Sequence, residues 1–460
     1  MEPKRHGLRW LLVVAACFPL ASVKAWAENW PHWRGPAYNG SSAETGLPAE
    51  WSKTENVAWS VPLPGPSGAT PVIWDNYVFV SSTDLKNQAL LAVAVDRKTG
   101  SVLWQRQIAS GIRRDERTTL ANPSPSTDGK RVIFFYGNGE LVAFDFQGVK
   151  LWSRNIETDY GQFAFLWAFS STPLLFGNVL YLQVLQRDVP VNGRGRADGP
   201  NDSYLLAMNP DTGKELWRHI RPTDAVAESR ESYASPLPFT VGDRAELLLV
   251  GGDCLTGHDP ATGKELWRSA SWNPDRSTIW RQVASPVAGT GVILGCPPRA
   301  AVHAVRARGA TGTADAEVVW KAEEAMSVDV PTPLFYQGDF FVLSDLRKTL
   351  SRVEPATGKV KWSIKAPGRA KYEASPTGAD GRVYLINSSG AVSVVNAENG
   401  VVLRTIPMGE DEEDMVRSTV AVAQGQLFIR TSQRLYCVGR KQGLGTGADR
   451  VRCAAGQPPR

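Results

Sequence analysis

The chain is poor in cysteine and histidine. Of its 460 residues, five are Cys and five are His. Cys17 lies in an N-terminal apolar run, which leaves Cys254, Cys296, Cys437 and Cys453. None of these has the two-residue spacing of a zinc or dithiol motif. Cys254 and Cys296 are expected to end equivalent strands of neighbouring repeats. A disulfide between them and a pair of small buried thiols both fit that placement. So few imidazoles argue against a histidine-ligated metal enzyme. No Gly-x-Ser-x-Gly, His-Glu-x-x-His or phosphate-binding loop is present, and Gly193-x-Gly195 lacks the third glycine and the helix of a dinucleotide fingerprint. Beyond the N-terminus no apolar run is long enough to span a membrane. A strong charge of either sign is also lacking. Once residues 1–27 are set aside, 47 basic residues face 45 acidic ones. A near-neutral body gives no electrostatic footprint for nucleic acid, and a monomer is expected.

The first residues follow the plan of a secretory signal. Lys4, Arg5 and Arg9 precede the apolar stretch Trp10 to Val23, and Ala25-Trp26-Ala27 supplies small residues for cleavage. The expectation is a signal peptide over 1–27, a mature chain from Glu28, and a periplasmic or secreted protein. The alternative is a lipid anchor on Cys17, because Val14-Ala15-Ala16-Cys17 resembles a lipobox. Residues 440–460 are glycine-rich and basic and read as a disordered tail.

What the chain has in abundance is repetition. One phrase is an acidic residue or Asn, then Thr-Gly, a polar pair, an aliphatic and Trp. It runs from Asp96 to Trp104, Asn209 to Trp217, Asp259 to Trp267 and Glu354 to Trp362, with weaker copies ending at Trp152, Trp320 and Leu403. A second phrase, a small residue followed by Ser or Thr and Pro, ends at Pro71, Pro125, Pro173, Pro236, Pro286, Pro333 and Pro376. Ser418-Thr419-Val420 is an altered eighth copy. Between the phrases lie short apolar runs separated by Gly/Asn/Ser turns, the pattern of strands. In the first phrase Asp bonds turn amides, Pro fixes φ, and Gly takes a positive φ. Each repeat therefore reads as one four-stranded antiparallel sheet, with its Trp on the outer strand against the next unit.

The fold expected is all-β: an eight-bladed β-propeller over residues 51–439, preceded by an N-terminal arm over 28–50. The eighth repeat stops without a Trp strand, and Asn56 to Val61 carries the missing one. The N-terminal strand should thus complete the last blade and leave no exposed sheet edge. The longest interval between Trp anchors, Trp152 to Trp217, contains an insertion in the third blade from Gln186 to Asp202.

These phrases resemble the pyrroloquinoline-quinone (PQQ)-like repeat family. Its relatives include quinoprotein alcohol dehydrogenases and the propeller lipoprotein of the outer-membrane barrel assembly machine. The opening Trp30-Pro31-His32-Trp33-Arg34-Gly35-Pro36 looks like that of exported PQQ-binding-like propellers. For the dehydrogenase branch, the resemblance implies PQQ and Ca²⁺ in an axial pocket, held by Glu, Asn and Asp, with a further Asp as base. Many of those enzymes also stack the quinone on a vicinal Cys-Cys pair, which this chain lacks.

In such a fold the residues just before Ser/Thr-Pro face the mouth of the central channel. Three positions before the Pro, or its replacement Val420, stand Asn122, Ser170, Tyr233, Val283, Val330, Glu373 and Arg417. Gln282, Asp329 and Tyr372 stand four before it, and Glu231 and Arg281 five before. Trp167 and Trp280 lie nearby. The expected mouth offers arginines to an anion, carboxylates to a cation or hydroxyls, and Trp or Tyr for stacking. Mutual pairing of these groups in a wet channel explains them equally well. Elsewhere, Asp259 belongs to the turn phrase, His258 is expected at the surface, His32 packs with the arm, and Glu410 to Asp414 forms a solvated acidic loop. The function expected is an exported, non-catalytic binding scaffold for a protein, peptide or saccharide at the rim, with no confident cofactor. A PQQ/Ca²⁺ oxidoreductase and an outer-membrane assembly scaffold are the alternatives.

Overall fold

The turn phrase folds as its residues dictate. In the first repeat, Asp96 Oδ1 accepts the amides of Lys98 and Thr99 at 3.0 and 2.8 Å. Gly100 follows at φ +76°, a conformation that costs glycine nothing. That turn joins the strands Ala89–Asp96 and Val102–Ser110. With Val72–Trp74 and Tyr77–Asp84 they form blade 1, innermost strand first.

The computed structural model describes residues 28–440 except 114, 116–117, 271, 308–313, 323–325, 412 and 414. The expected signal segment, the Cys17 anchor, Cys453 and the tail after Arg440 lie outside the described residues. Within them, eight sheets follow the same plan. Blades 2 to 7 begin with the inner strands Ser126–Thr127, Leu174–Phe176, Leu237–Val241, Val287–Gly289, Leu334–Tyr336 and Thr377–Ala379. Blade 8 takes Ala421–Ala423, Gln426–Arg430 and Arg434–Val438 from the C-terminal end and Val57–Pro62 from the N-terminal end. The closing pair is antiparallel, with Trp59 opposite Cys437 and Ser60 opposite Tyr436. The fold is the eight-bladed propeller expected, closed by its first strand. Blade 4 carries one addition: Ala314–Asp315 pairs in parallel with Trp267 and Arg268.

Two sets of contacts join blade to blade. The outer one uses the tryptophans. Trp59 donates its indole N–H to Arg97 O at 2.7 Å, and its ring lies so close over Gly100 that a Cβ there would come within 2.7 Å. Trp104, Trp152, Trp217, Trp320 and Trp362 lie in the same way on Gly148, Gly213, Gly263, Gly358 and Gly400 of the following blade. Trp267 departs from the pattern. It bonds Glu246 Oε2 at 2.6 Å and lies over Gly257 of its own sheet, beneath the added strand.

The inner set uses the Ser/Thr of the second phrase. The amide of Thr70 donates to Ser124 Oγ, that of Ser124 to Thr172, Thr172 to Ser235, Ser235 to Ser285, Ser285 to Thr332, Thr332 to Ser375, and Thr419 back to Thr70, all at 2.9–3.1 Å. At the remaining junction, Thr377 Oγ1 donates to Val420 O at 2.7 Å. Every hydroxyl here is buried, so the ring settles polar groups that would otherwise be costly in a dry interior.

The arm crosses the end of the channel where the inner strands finish. Trp30 exchanges backbone bonds with Ile73, the Thr127 amide donates to Pro31 O, and Gly40 and Ser42 bracket Gly378. Arg34 reaches inside. Its guanidinium donates to Pro333 O at 2.6 Å and Pro376 O at 3.1 Å and is wholly buried, which pulls its pKa down to about 9. The channel is therefore closed at this end.

Two expectations require correction. His258 is fully buried, with Nδ1 2.8 Å from Gly263 O and Nε2 2.9 Å from Thr256 Oγ1. The turn phrase folds back over it, which a reading of sequence neighbours misses. Cys254 opens the third strand of blade 4 whereas Cys296 follows the second strand of blade 5. The two positions are not equivalent, and Cys254, Cys296 and Cys437 are free thiols.

Two measurements check this account. Trp59→Ala should cost about 3–5 kcal/mol in urea unfolding through loss of the seam contact, whereas Leu103→Ala, on an exposed position, should stay within about 0.5 kcal/mol. Burial lowers the pKa values of His32 and His258 to about 3. The folded state then binds fewer protons than the unfolded one below the ordinary histidine range, so stability should fall as pH drops from about 6.5 toward 3. Comparing urea midpoints at several pH values for the parent and His258→Gln should show a shallower decline in the variant.

Candidate functional site

At the end opposite the arm, the segments before each Ser/Thr-Pro turn inward around the axis. Together they line a blind cavity of about 90 Å³. Its lining includes Asn122, Ser170, Tyr233, Val283, Val330, Glu373 and Arg417, the residue three before the Pro, or before Val420 in the eighth blade, of seven consecutive blades. The eighth such position is Gly68. Its amide donates to Asn122 Oδ1 at 2.9 Å, and a Cβ there would meet the Asn122 amide at 3.1 Å. One sequence position per blade thus builds the cup. Trp167, Ala168, Arg281 and Thr118 complete it. Thr118 and Ala168 were not singled out from the sequence; they lie on the long connections into blades 2 and 3, whose shape no local pattern reveals.

The charged groups of the cup are unequally engaged. Arg417 grips Glu373, with Nε and Nη2 both 2.9 Å from Oε2. Arg281 has an almost buried side chain, 8% exposed, yet its nearest carboxylates stand off at 3.5 Å (Asp329) and 3.7 Å (Glu228). These are ion-pair distances rather than good hydrogen bonds. Asp329 is held by its own amide, which donates to Asp345 Oδ1 at 2.9 Å, and its Oδ1 is buried without a partner. Burial, with Asp329 adding to it, raises the Asp345 pKa to about 6.

Five of the expected site residues lie outside the lining. Glu231 is wholly buried beneath it. There it accepts the Tyr233 hydroxyl, the Leu166 amide (3.1 Å) and the Arg187 guanidinium, and burial raises its pKa. The Tyr233 hydroxyl in turn accepts the Trp167 amide at 3.0 Å. Glu231 therefore sets the positions of the two aromatic walls without meeting a guest. Gln282 spends its side-chain N–H groups on Ala284 O and Cys296 O. Tyr372 is packed in the core between blades 6 and 7 and donates to Pro367 O. Trp280 and Asp329 flank the cup. Neighbours in sequence alternate sides on extended backbone, so Gln282 points away from the channel while Arg281 and Val283 on either side of it line the cup.

The cup does not fit the calcium site that the dehydrogenase branch implies. Glu373 is neutralised by Arg417, Glu231 by Arg187, and Asp329 faces Arg281. Among the described residues no three of His, Cys, Asp and Glu stand close enough to hold a metal.

The pair beneath the cup, whose carboxylate is wholly buried, and the half-buried pair within it should respond differently to loss of charge. Glu231→Gln leaves Arg187 without its counter-charge and should cost about 3–5 kcal/mol in urea unfolding. Glu373→Gln, whose partner Arg417 can turn to solvent at the cup, should cost roughly 1 kcal/mol or less.

Comparison with known proteins places this geometry in a lineage. Tetrathionate hydrolase of Acidithiobacillus ferrooxidans is 24% identical over 434 residues, covering 86% of this chain and 73% of that protein. Among solved structures, quinohemoprotein alcohol dehydrogenase from Comamonas testosteroni superposes with a TM-score of 0.61 at 14% identity, over 90% of this chain and 81% of that one. BamB from Moraxella catarrhalis gives 0.53 at 13%, over 84% and 98%. Likeness at these identities establishes the propeller and not the chemistry. The family model described as outer membrane protein assembly factor BamB matches residues 41–189, 166–314 and 309–445 in overlapping succession. Spanning nearly the whole propeller, that match shows that the chain belongs to this PQQ-like, BamB-type propeller family.

Proposed function

We propose that the protein is an exported, non-catalytic binding propeller whose cup receives a side chain or chain end of a protein or peptide partner bearing an oxygen acceptor. The size of the cup carries this reading. About 90 Å³ falls well short of the roughly 300–1,000 Å³ typical of cofactor and small-molecule pockets, and it suits one residue of a larger partner. The chemistry of the lining agrees. Trp167, Tyr233, Val283 and Val330 offer an apolar wall, and Arg281 brings N–H donors that its distant carboxylates leave poorly used. A guest carboxylate or carbonyl meeting that guanidinium would form a charge-assisted bond in a place shielded from water. The BamB family model, and a BamB among the structural relatives, support a partner-binding role. Against the oxidoreductase alternative, Glu231 and Glu373 are each held by an arginine, and Asp329 lies outside the lining of the cup with Arg281 facing it.

Calorimetry with a library of short peptides carrying free or amidated C-termini provides the test. At least one free-acid peptide should bind, and Arg281→Ala should weaken it by about tenfold or more. Dye reduction by the purified protein supplied with PQQ and Ca²⁺, or peptide binding indifferent to Arg281, would overturn the reading.

A further inference from the structure

We infer that the backbone nitrogen of Glu28, freed as an ammonium when the exporting cell's signal peptidase cuts after Ala27, pairs with the carboxylate of Glu44 and pins the mature terminus to blade 8. Water adds across the peptide bond between Ala27 and Glu28. The C–N bond breaks, Ala27 keeps the new carboxylate, and the nitrogen of Glu28 is protonated to the ammonium. Ala25-Trp26-Ala27 supplies the small residues that such a peptidase selects. The inference rests on the export reading above and is independent of the cup.

From Glu28 onward the arm is tied down residue by residue. The Glu28 nitrogen donates to Glu44 Oε1 at 2.5 Å, and its carbonyl accepts the Gln424 amide at 3.2 Å. Its own side chain is held separately: Oε2 accepts the Ser42 hydroxyl at 2.6 Å and the Ala43 amide at 2.9 Å. Asn29 Oδ1 accepts the Asp75 amide at 2.8 Å, and Trp30 exchanges two backbone bonds with Ile73. The nitrogen that cleavage liberates therefore already has a fixed seat.

Glu44 is placed to serve as the counter-charge. Its amide donates to Ser42 Oγ at 3.1 Å, which sets its backbone, and its side chain is half-buried. Its Oε1 also accepts the Gln424 amide, and its Oε2 the Gly425 amide, both at 2.9 Å. Those amides belong to the turn between Ala421–Ala423 and Gln426–Arg430 of blade 8. Backbone amides bring no net charge to a carboxylate, whereas an ammonium forms a charge-assisted bond roughly twice as strong as a neutral one. The Arg97 guanidinium feels Glu44, along with Asp75 and Asp96. It is engaged elsewhere, with Nε donating to Asp75 O at 2.6 Å and Nη1 to Gln426 Oε1 at 2.7 Å. A lipid anchor on Cys17 would leave the Glu28 nitrogen an uncharged amide and forgo the pair.

The test uses the full chain, expressed in a bacterium that exports it. The intact mass of the recovered protein should correspond to Glu28 as first residue. A trace of acetic anhydride at pH 7 then labels only unprotonated amines, so the rate at the terminus reads how firmly its proton is held. The parent should label there about fivefold more slowly than Glu44→Gln, because a paired ammonium titrates above the ordinary value of about 7.7–8.0. That substitution keeps an acceptor oxygen, and the bonds of the Glu28 side chain keep the terminus in place, so charge alone is removed. A first residue other than Glu28, a lipid-bearing Cys17 included, or equal labelling rates in parent and variant overturns the proposal. Recovery of a chain that keeps residues 1–27 inside the cell sinks the export reading as well, which tells the two failures apart.

Discussion

The structure depends on one closed circuit. At seven of the eight junctions a blade hands a backbone N–H to the hydroxyl of the next, Thr419 returning the chain of bonds to Thr70, and at the eighth the Thr377 hydroxyl donates to Val420 O. A single blade could not bury both its faces, so the unit of stability is the wheel and not the sheet. The hydroxyl must be small, β-positioned and adjacent to a residue that has no N–H of its own. Ser or Thr before Pro satisfies those demands together, since the proline also restricts its predecessor to extended backbone. At Val420 the proline is lost, and there the amide-to-hydroxyl pattern gives way to Thr377 donating to a carbonyl.

The same circuit gives the two ends of the channel opposite characters. Because every inner strand starts at the hydroxyl ring, residues preceding it converge on one end and residues following it diverge toward the other. The converging end becomes a small cup. The diverging end is wide enough to admit the arm, and Arg34 fills the axis with a charge whose burial is offset by main-chain carbonyls of blades 6 and 7. Charge-assisted bonds of this type are the strong ones.

Much of this was legible in the sequence, and the limits have physical causes. The blade count, the turn chemistry at Asp96-to-Gly100 and the closing role of Trp59 follow from periodic phrases, because strand alternation and turn geometry are local rules. The register three before the proline converges in the cup because all blades share one inner-strand geometry. Glu231, Gln282 and Tyr372 were not separable from it by position alone. Their side chains point between blades, and a residue's face depends on a single step of register. His258 was misread because its burial comes from the turn folding over it. Thr118 and Ala168 lie on irregular connections for which no periodic signal exists. Trp267 shows a tertiary override: the added strand Ala314–Asp315 sits at the outer edge of its sheet, and the ring turns to Glu246 in place of the neighbouring blade.

The shared eighth blade has a mechanical consequence. Val57 and Val438 face each other at one end of the antiparallel seam, so tension applied through the flanking segments would load the ladder at that end. Hydrogen bonds arranged this way break in succession, like a zipper, and never share the load. The wheel is thus braced around its whole circumference yet has a single fault line under traction. The arm guards that line on the N-terminal side, because its bonds to blades 1, 2, 3, 6, 7 and 8 would have to peel away first.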